Sequence, residues 1–311
     1  YLTSSYFMDF TFPEELVLLR ETVKRYVDKE LRPLEKGIEE AGKADPEVLS
    51  LLRLKAAKVG IYAHNLPTEI GGGGLNCLGQ VVVAEELGRT TMPLSRSAGY
   101  LPVLLAYCNP QQQSWFVDPL VSGEKFVTYA VTEPDAGSDV AAMQCSATET
   151  PDGYRLNGYK TWISNGGIAD FYVVFARTGE APGARGISAF IVDANTPGLE
   201  IAERIDVIAP HPLAKLHFNQ VLVPHAKRIG AAGEGFKVAM ATLDVFRTSV
   251  AAASLGFARR ALDESIAWAK HRKMFGQSLA DFQITQSKLA QMATLLDAAT
   301  LLTYRAAWLR D

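Results

Sequence analysis

Cysteine is scarce in this chain. Only Cys77, Cys108 and Cys145 occur among 311 residues, widely spaced and in no CxxC pair. An odd, scattered set excludes a disulfide framework and a thiolate zinc site, and it suits a reducing compartment. Histidine is also sparse. His64, His211, His217, His225 and His271 show no HExxH or other ligand spacing, so no metal site is expected. Charge of one sign is lacking, with 31 Lys and Arg against 34 acids and a net charge of −3. There is no basic excess and no arginine–aromatic pattern, which argues against a nucleic-acid partner. The apolar runs read as too short for a membrane span. No GxGxxG follows a strand, and there is no GxxxxGK[ST] and no GxSxG. The run Gly71 to Gly74 fits none of these spacings. Tyr1 to Phe7 lacks the charged region and cleavage site of a secretory signal, while Met8-Asp9-Phe10 reads as a native start. A cytoplasmic setting is the expectation.

What is present is an ordinary globular composition, 48% hydrophobic and 21% charged. The length fits two or three packed units. Thr11-x-x-Glu14 reads as a capping box with Pro13 in the first turn, followed by Leu16, Leu19, Val23, Tyr26 and Val27 at helical spacing. Asp45-Pro46 opens a second helix that Gly60 stops. A third helix is expected over about Leu78 to Arg89, with shorter helical stretches near Leu101 to Tyr107 and Gln111 to Val121. The texture then changes. Phe126 to Val131, Arg155 to Ile163, Phe171 to Arg177 and Gly186 to Asp193 are β-branched or aromatic runs broken by turn residues. From Gly235 the pattern is helical again, with one long helix over about Phe236 to Lys273, a turn at Gly276 and a second helix from about Asp281. The expected fold class is α+β: an N-terminal all-α domain over 8–124, a middle β-barrel-like domain over 125–231 and an incomplete C-terminal helical bundle over 232–311. The helical pattern running into Asp311 leads us to expect that the protein continues beyond it.

Four segments carry chemistry. In Tyr129 to Asp139 a strand enters a Pro/Gly loop bearing hydroxyls; it is either a plain surface turn or a cradle for an anionic ligand. Trp162-Ile163-Ser164 before Gly166-Gly167 is either a core tryptophan at a hairpin turn or a stacking platform with a hydroxyl beside it. His271 to Gly276 places cations at a helix C-terminus, where they suit the dipole or allow Arg272 to pair with a phosphate. Asp244 and Arg247, at i and i+3, read as an intrahelical ion pair.

Taken together, TEPDAGSD at Thr132 to Asp139, WISNGG at Trp162 to Gly167, and RKMFG at Arg272 to Gly276 with Gln283 resemble the acyl-CoA dehydrogenases. The resemblance spans essentially the whole chain from Met8. It implies an FAD-dependent oxidoreductase of fatty acid metabolism that dehydrogenates an acyl-CoA between Cα and Cβ and passes electrons to an electron-transfer flavoprotein. It implies that Tyr129, Val131, Thr132, Gly137 and Ser138 line the flavin on one side and Trp162, Ile163 and Ser164 on another. Arg272, Phe275 and Gln283 would reach FAD on a neighbouring subunit, so a homo-oligomer, dimer or tetramer, is implied. Ser138, Asp244, Phe246, Arg247 and Arg185 would meet the acyl-CoA.

The sequence also departs from the family pattern. The family's catalytic glutamate lies in most members near the C-terminus, and in a minority just before the arginine of the long helix. That second position is Phe246 here. Glu234 and Glu264 match neither motif, so the resemblance places the base beyond Asp311. Ile208 to Ala214, with two prolines and His211, replaces a polar Arg/Gly/Ser stretch, and Phe246 is expected to crowd the acyl site. The alternatives are an oxidase of the same fold that reduces oxygen, and a non-catalytic FAD-binding partner subunit.

Overall fold

The structure, a computed structural model, describes residues 11–311. The start expected at Met8 lies outside the described residues. Helix α1 (Glu14–Tyr26) has Pro13 at its N-cap and no side-chain cap. The expected capping box is therefore not what starts it. Glu14 and Glu15 in the first turn and Lys24 and Arg25 in the last complement its dipole instead. The chain continues through a π-helical turn, Val27–Leu31, into α2 (Glu35–Ala41). Helix α3 (Pro46–Lys58) starts as the sequence indicated, with the Asp45 carboxylate accepting from the Glu47 N–H at 2.9 Å.

The glycine run after it is structural. Residues 61–66 form a buried loop, and the backbones of Gly72, Gly73 and Gly74 bond to Pro67, Ala63 and Leu66 carbonyls. A Cβ on Gly72 would lie 2.2 Å from the Leu66 oxygen, so only glycine lets the two strands of chain touch. His64 is enclosed in this loop. Its Nδ1 faces the Ile61 carbonyl at 3.0 Å, and its Nε2 is buried without a partner. Burial lowers its pKa from 6.5 to about 4. The folded ring thus stays neutral where the unfolded chain binds a proton. Stability from this group is complete above pH 6.5 and is lost as pH falls toward 4. We expect about 2 kcal/mol less stability at about pH 5 than at about pH 7 from His64. Urea midpoints of the wild type and His64→Gln at the two pH values check this; an equal acid loss in both proteins would disprove it.

Helix α4 (Cys77–Leu87) begins one residue earlier than expected and ends two earlier. Asn76 caps Gly79 N–H, and the Asp311 carboxylate accepts from Cys77 and Leu78 N–H at 2.7 and 2.9 Å. The helix is buried nearly all round, which is why its sequence shows no polar face. Short helices α5 (Met92–Ser95), α6 (Pro110–Gln112) and α7 (Asp118–Val121) complete the N-terminal layer.

The strands are β1 (Val127–Ala130), β2 (Ser146–Thr150), β3 (Gly153–Ser164), β4 (Phe171–Arg177), β5 (Ile187–Asp193), β6 (Leu199–Ile205), β7 (Leu213–Val223) and β8 (Arg228–Ile229). They run in the order β6-β7-β3-β2-β4-β5-β8, with β1 parallel to β4 on its other side. Strands β2 and β4 share only the Ser146–Arg177 pair, so two sheet halves hinge there and close on a common core. Strand β4 shows why its run is apolar throughout. Val173 and Phe175 enter the core shared with the helices, whereas Tyr172, Val174 and Ala176 enter the core between the sheet halves.

Helix α8 (Gly235–His271) stops two residues before the expected end, because Arg272 turns extended. Lys273–Met274 (β9) and Gln277–Ser278 (β10) then pair as a small hairpin around Gly276. Helix α9 (Gln283–Arg310) runs back along α8. Contrary to the sequence reading, α8 is long and apolar enough to cross a membrane by length and composition. Its apolar residues have another use here: Val238 and Ala239 enter the main core, and Ala252 packs with Val81 and Ala84 of α4.

Candidate functional site

The loop after β1 is held by a buried ion pair. Lys160 on β3 has no solvent exposure and Glu133 is 6% exposed. The ammonium donates to Glu133 Oε1 at 2.7 Å and to the Val131 carbonyl at 3.0 Å. The carboxylate also accepts from the N–H groups of Gln144 and Cys145 at 2.6 and 3.0 Å. Thr161 N–H donates to the Thr132 carbonyl at 2.8 Å. The loop is thus fixed to the strand that carries Trp162. Sequence reasoning did not single out Glu133 or Lys160. The available signal was alternation: Lys160 shares its face with the buried Tyr154 and Leu156.

Beyond that tie, Gly137 and Ser138 are exposed and bond to no other described residue. Their N–H groups and one hydroxyl are free donors. Val131 and Ile163 are 6% and 2% exposed and belong to the two cores. Their side chains are therefore largely packed inside the protein. Tyr129 packs its ring 4.8 Å from that of Phe175, and its hydroxyl is buried without a partner. Burial raises the Tyr129 pKa.

The ladder between β3 and β7 is irregular between Lys160 and Ile163. Trp162 sits in that irregularity at φ +57° and is 58% exposed, so its ring is presented outward and is not a core residue. Ser164 follows. Its carbonyl accepts from the Thr128 hydroxyl, and its own Oγ lies 2.9 Å from His211 Nε2. His211, in the proline-containing segment before β7, thus bonds the site hydroxyl through its ring. Its Nδ1 is buried and unpartnered, and burial followed by the charge of Arg96 lowers its pKa.

Between α4 and α8 lies a cavity of about 130 Å³. Ala84, Leu87, Met92, Tyr100, Ser249 and Val250 are among its walls, and among the described residues no Asp or Glu lines it. Phe246 does not line it either. Its ring rests edge-on at 5.6 Å against Tyr100, which does line it. Asp244 and Arg247 pair at 2.9 Å on the exposed face of α8, as their spacing suggested. Arg185 is exposed in the turn Gly183–Gly186, and its carbonyl lies close to Gly233 just before α8.

Arg272, Phe275 and Gln283 are together at the hairpin end of α8, all exposed, with Phe275 at 91%. They lie about 35 Å along the helix axis from Arg247. The sheet meets α8 at its other end, where Gly235 touches Ser188. The chain therefore does not bring this group to its own Trp162.

Free N–H and hydroxyl donors beside an exposed tryptophan fit a ligand that has acceptor oxygens and a flat ring. FAD has both. Three family profiles match in order: acyl-CoA dehydrogenase N-terminal domain over 13–124, middle domain over 128–221 and C-terminal domain over 233–311. The chain is 38% identical over 309 residues to the human mitochondrial short-chain specific acyl-CoA dehydrogenase, covering 96% of this chain and 73% of that protein. It is 37% identical over 311 residues to the caffeyl-CoA reductase-Etf complex subunit CarC of Acetobacterium woodii, covering 96% and 80%. The solved butyryl-CoA dehydrogenase of Megasphaera elsdenii superposes with a TM-score of 0.85 at 34% identity, covering 96% and 80%. The chain belongs to the acyl-CoA dehydrogenase family and is an FAD-dependent oxidoreductase.

Proposed function

We propose that this chain binds a short acyl-CoA thioester in the α4–α8 cavity and dehydrogenates it between Cα and Cβ, with electrons leaving to an electron-transfer flavoprotein. The observation that carries the reading is the loop stapled by Lys160 and Glu133, which holds free donors at Gly137 and Ser138 beside the exposed Trp162. FAD, when bound, supplies the hydride acceptor. Thr132 and Ser138 would hold its polar groups, while Trp162 and Ser164 would bound its ring, with His211 fixing the Ser164 hydroxyl. Tyr129, Val131, Gly137 and Ile163 complete the set. The mostly apolar walls of the cavity would displace water from much of the acyl group, which strengthens any hydrogen bond to the thioester carbonyl. Asp244, Arg247 and Arg185 would meet the CoA moiety, and Phe246 supports Tyr100. Taking the α-proton requires a base, and since no Asp or Glu among the described residues lines the cavity, we assign that base to none of its lining residues.

We further propose three functional units over 8–124, 125–231 and 232–311, a homo-oligomer, and a cytoplasmic role in fatty acid metabolism. Exposed Trp268, Ile284, Leu302 and Trp308 on the two long helices support self-association. Arg272, Phe275 and Gln283 would then reach FAD of a neighbouring copy. Arg272→Ala is expected to weaken FAD binding about tenfold and to loosen the assembly. Flavin titration and sedimentation check this; unchanged values in both would remove Arg272 from the site.

The reading itself is tested with FAD-loaded protein and butyryl-CoA. Anaerobic bleaching of the flavin band, followed by recovery on adding an electron-transfer flavoprotein, is expected. A protein that loads FAD and binds no CoA ester would overturn it. Recovery by oxygen alone, with peroxide release, would make it an oxidase.

A further inference from the structure

The α4–α8 cavity contains a cation that a plain hydrocarbon chain does not use. Arg96 follows α5, at its C-cap. It lines this cavity and also a second, smaller cleft whose walls include Arg53, Asn165 and His211. Among the described residues, no Asp or Glu lines either space. Among the described residues, the Arg96 side chain has no ion pair and no hydrogen bond. It is exposed, yet protein surrounds it closely enough for desolvation to lower its pKa. A side chain facing a cleft satisfies both facts, because a ligand can reach it while bulk solvent is largely held away.

The neighbouring donors are already committed. Ser95, Ser97 and Ser249 hydroxyls donate to the carbonyls of Met92, Leu94 and Phe246, and Tyr100 donates to the Gln80 carbonyl at 2.7 Å. Among the described side chains that line the α4–α8 cavity, the Arg96 guanidinium is the unspent donor. The second arginine adds to the local positive charge. Arg53 is 7% exposed, its Nε is buried without a partner, and it lies over the Phe126 ring at 4.6 Å. A guanidinium that a ligand can reach and that no described protein group pairs is available to a carboxylate, which its planar fork matches with two parallel hydrogen bonds. The cavity volume of about 130 Å³ is near the size that admits a benzene ring, so it takes an acyl group of a few carbons.

We propose that Arg96 binds a carboxylate carried on the acyl group, so that the substrate class is the CoA monothioester of a short dicarboxylic acid. This rests on the reading of the cavity as the acyl site. Glutaryl-CoA and pentanoyl-CoA have equal carbon number and differ in the terminal group, so they isolate the charge. Calorimetric titration of the FAD-loaded protein with each ester, and with free CoA, needs no turnover. Glutaryl-CoA is expected to bind about tenfold or more tighter than pentanoyl-CoA. In Arg96→Gln the preference should vanish while pentanoyl-CoA and free CoA bind as before, and Arg96→Lys should restore part of it. Equal affinity in the wild type, or a preference that survives in Arg96→Gln, would overturn the proposal and leave the acyl-CoA reading standing. An equal loss for both esters and free CoA in Arg96→Gln would place the guanidinium on the CoA phosphates and also overturn it. Binding of no CoA compound would overturn the acyl-CoA reading itself, and this inference with it.

Discussion

Lys160→Met is expected to cost about 3–5 kcal/mol of stability. The substitution keeps the length and the apolar stem but removes the ammonium that faces Glu133 at 2.7 Å. Glu133 is then a buried carboxylate with two backbone N–H donors and no counter-charge. Removing one partner of a buried pair is costly for this reason, whereas removing both costs much less. Lys160→Met combined with Glu133→Leu should therefore recover most of the loss. The loss of function should run the other way. In the double variant the loop from Val131 to Ala136 loses its side-chain tie to β3 and keeps only the Thr161–Thr132 backbone bond, so FAD affinity stays low although stability returns. Denaturant midpoints and flavin titrations of the three variants separate the two effects. A single Lys160→Met costing under about 1 kcal/mol would show that the pair does not hold the loop.

That pair also marks the limit of what could be read in advance. The layer order of helices, sheet and helices follows from where apolar spacing changes from about 3.6 to 2, and β4, β5 and the long helices stand out for that reason. Strands β2, β6 and β8 do not. SATET and LEIAERI are polar or exposed, because β6 is an edge strand whose residues 200–204 face solvent. Helix ends moved where local backbone, and not propensity, decides: Pro13 displaced the expected cap, and Arg272 ended α8 by turning extended. The motifs placed Trp162, Ser164 and Ser138 on the surface of the candidate site, but several partners came from distant sequence. His211 lies 47 residues from Ser164, and Arg96 reaches its cavity opposite residues of α8. No periodicity encodes such pairings, since they arise only when the sheet and the helices have packed. The same holds for the edge-on contact between Phe246 and Tyr100.

Gly256→Val should lower stability by more than about 3 kcal/mol and weaken binding of any acyl-CoA. In a solvent-exposed helix, replacing glycine by alanine normally gains about 1 kcal/mol, and valine also exceeds glycine in propensity. Here the sign reverses. A Cβ on Gly256 would lie 2.1 Å from the Glu85 carbonyl oxygen and 2.7 Å from the Gly88 backbone. Across the same crossing, a Cβ on Gly88 would lie 2.2 Å from the Ala253 oxygen. These are backbone atoms, so no rotamer change relieves the overlap, and the helices must part by roughly 1 Å to reach normal contact. Helix α4 resists that motion, because Glu85 is held by Arg259 and by the Tyr304 hydroxyl at 2.5 Å. Gly88 and Ala253 also line the α4–α8 cavity, so parting the helices changes its width together with the stability. Denaturant midpoints and ester titrations of Gly256→Ala and Gly256→Val should fall in that order. A Gly256→Ala protein as stable as the wild type would mean that the crossing is looser than 2.1 Å implies, and that the cavity width is set elsewhere.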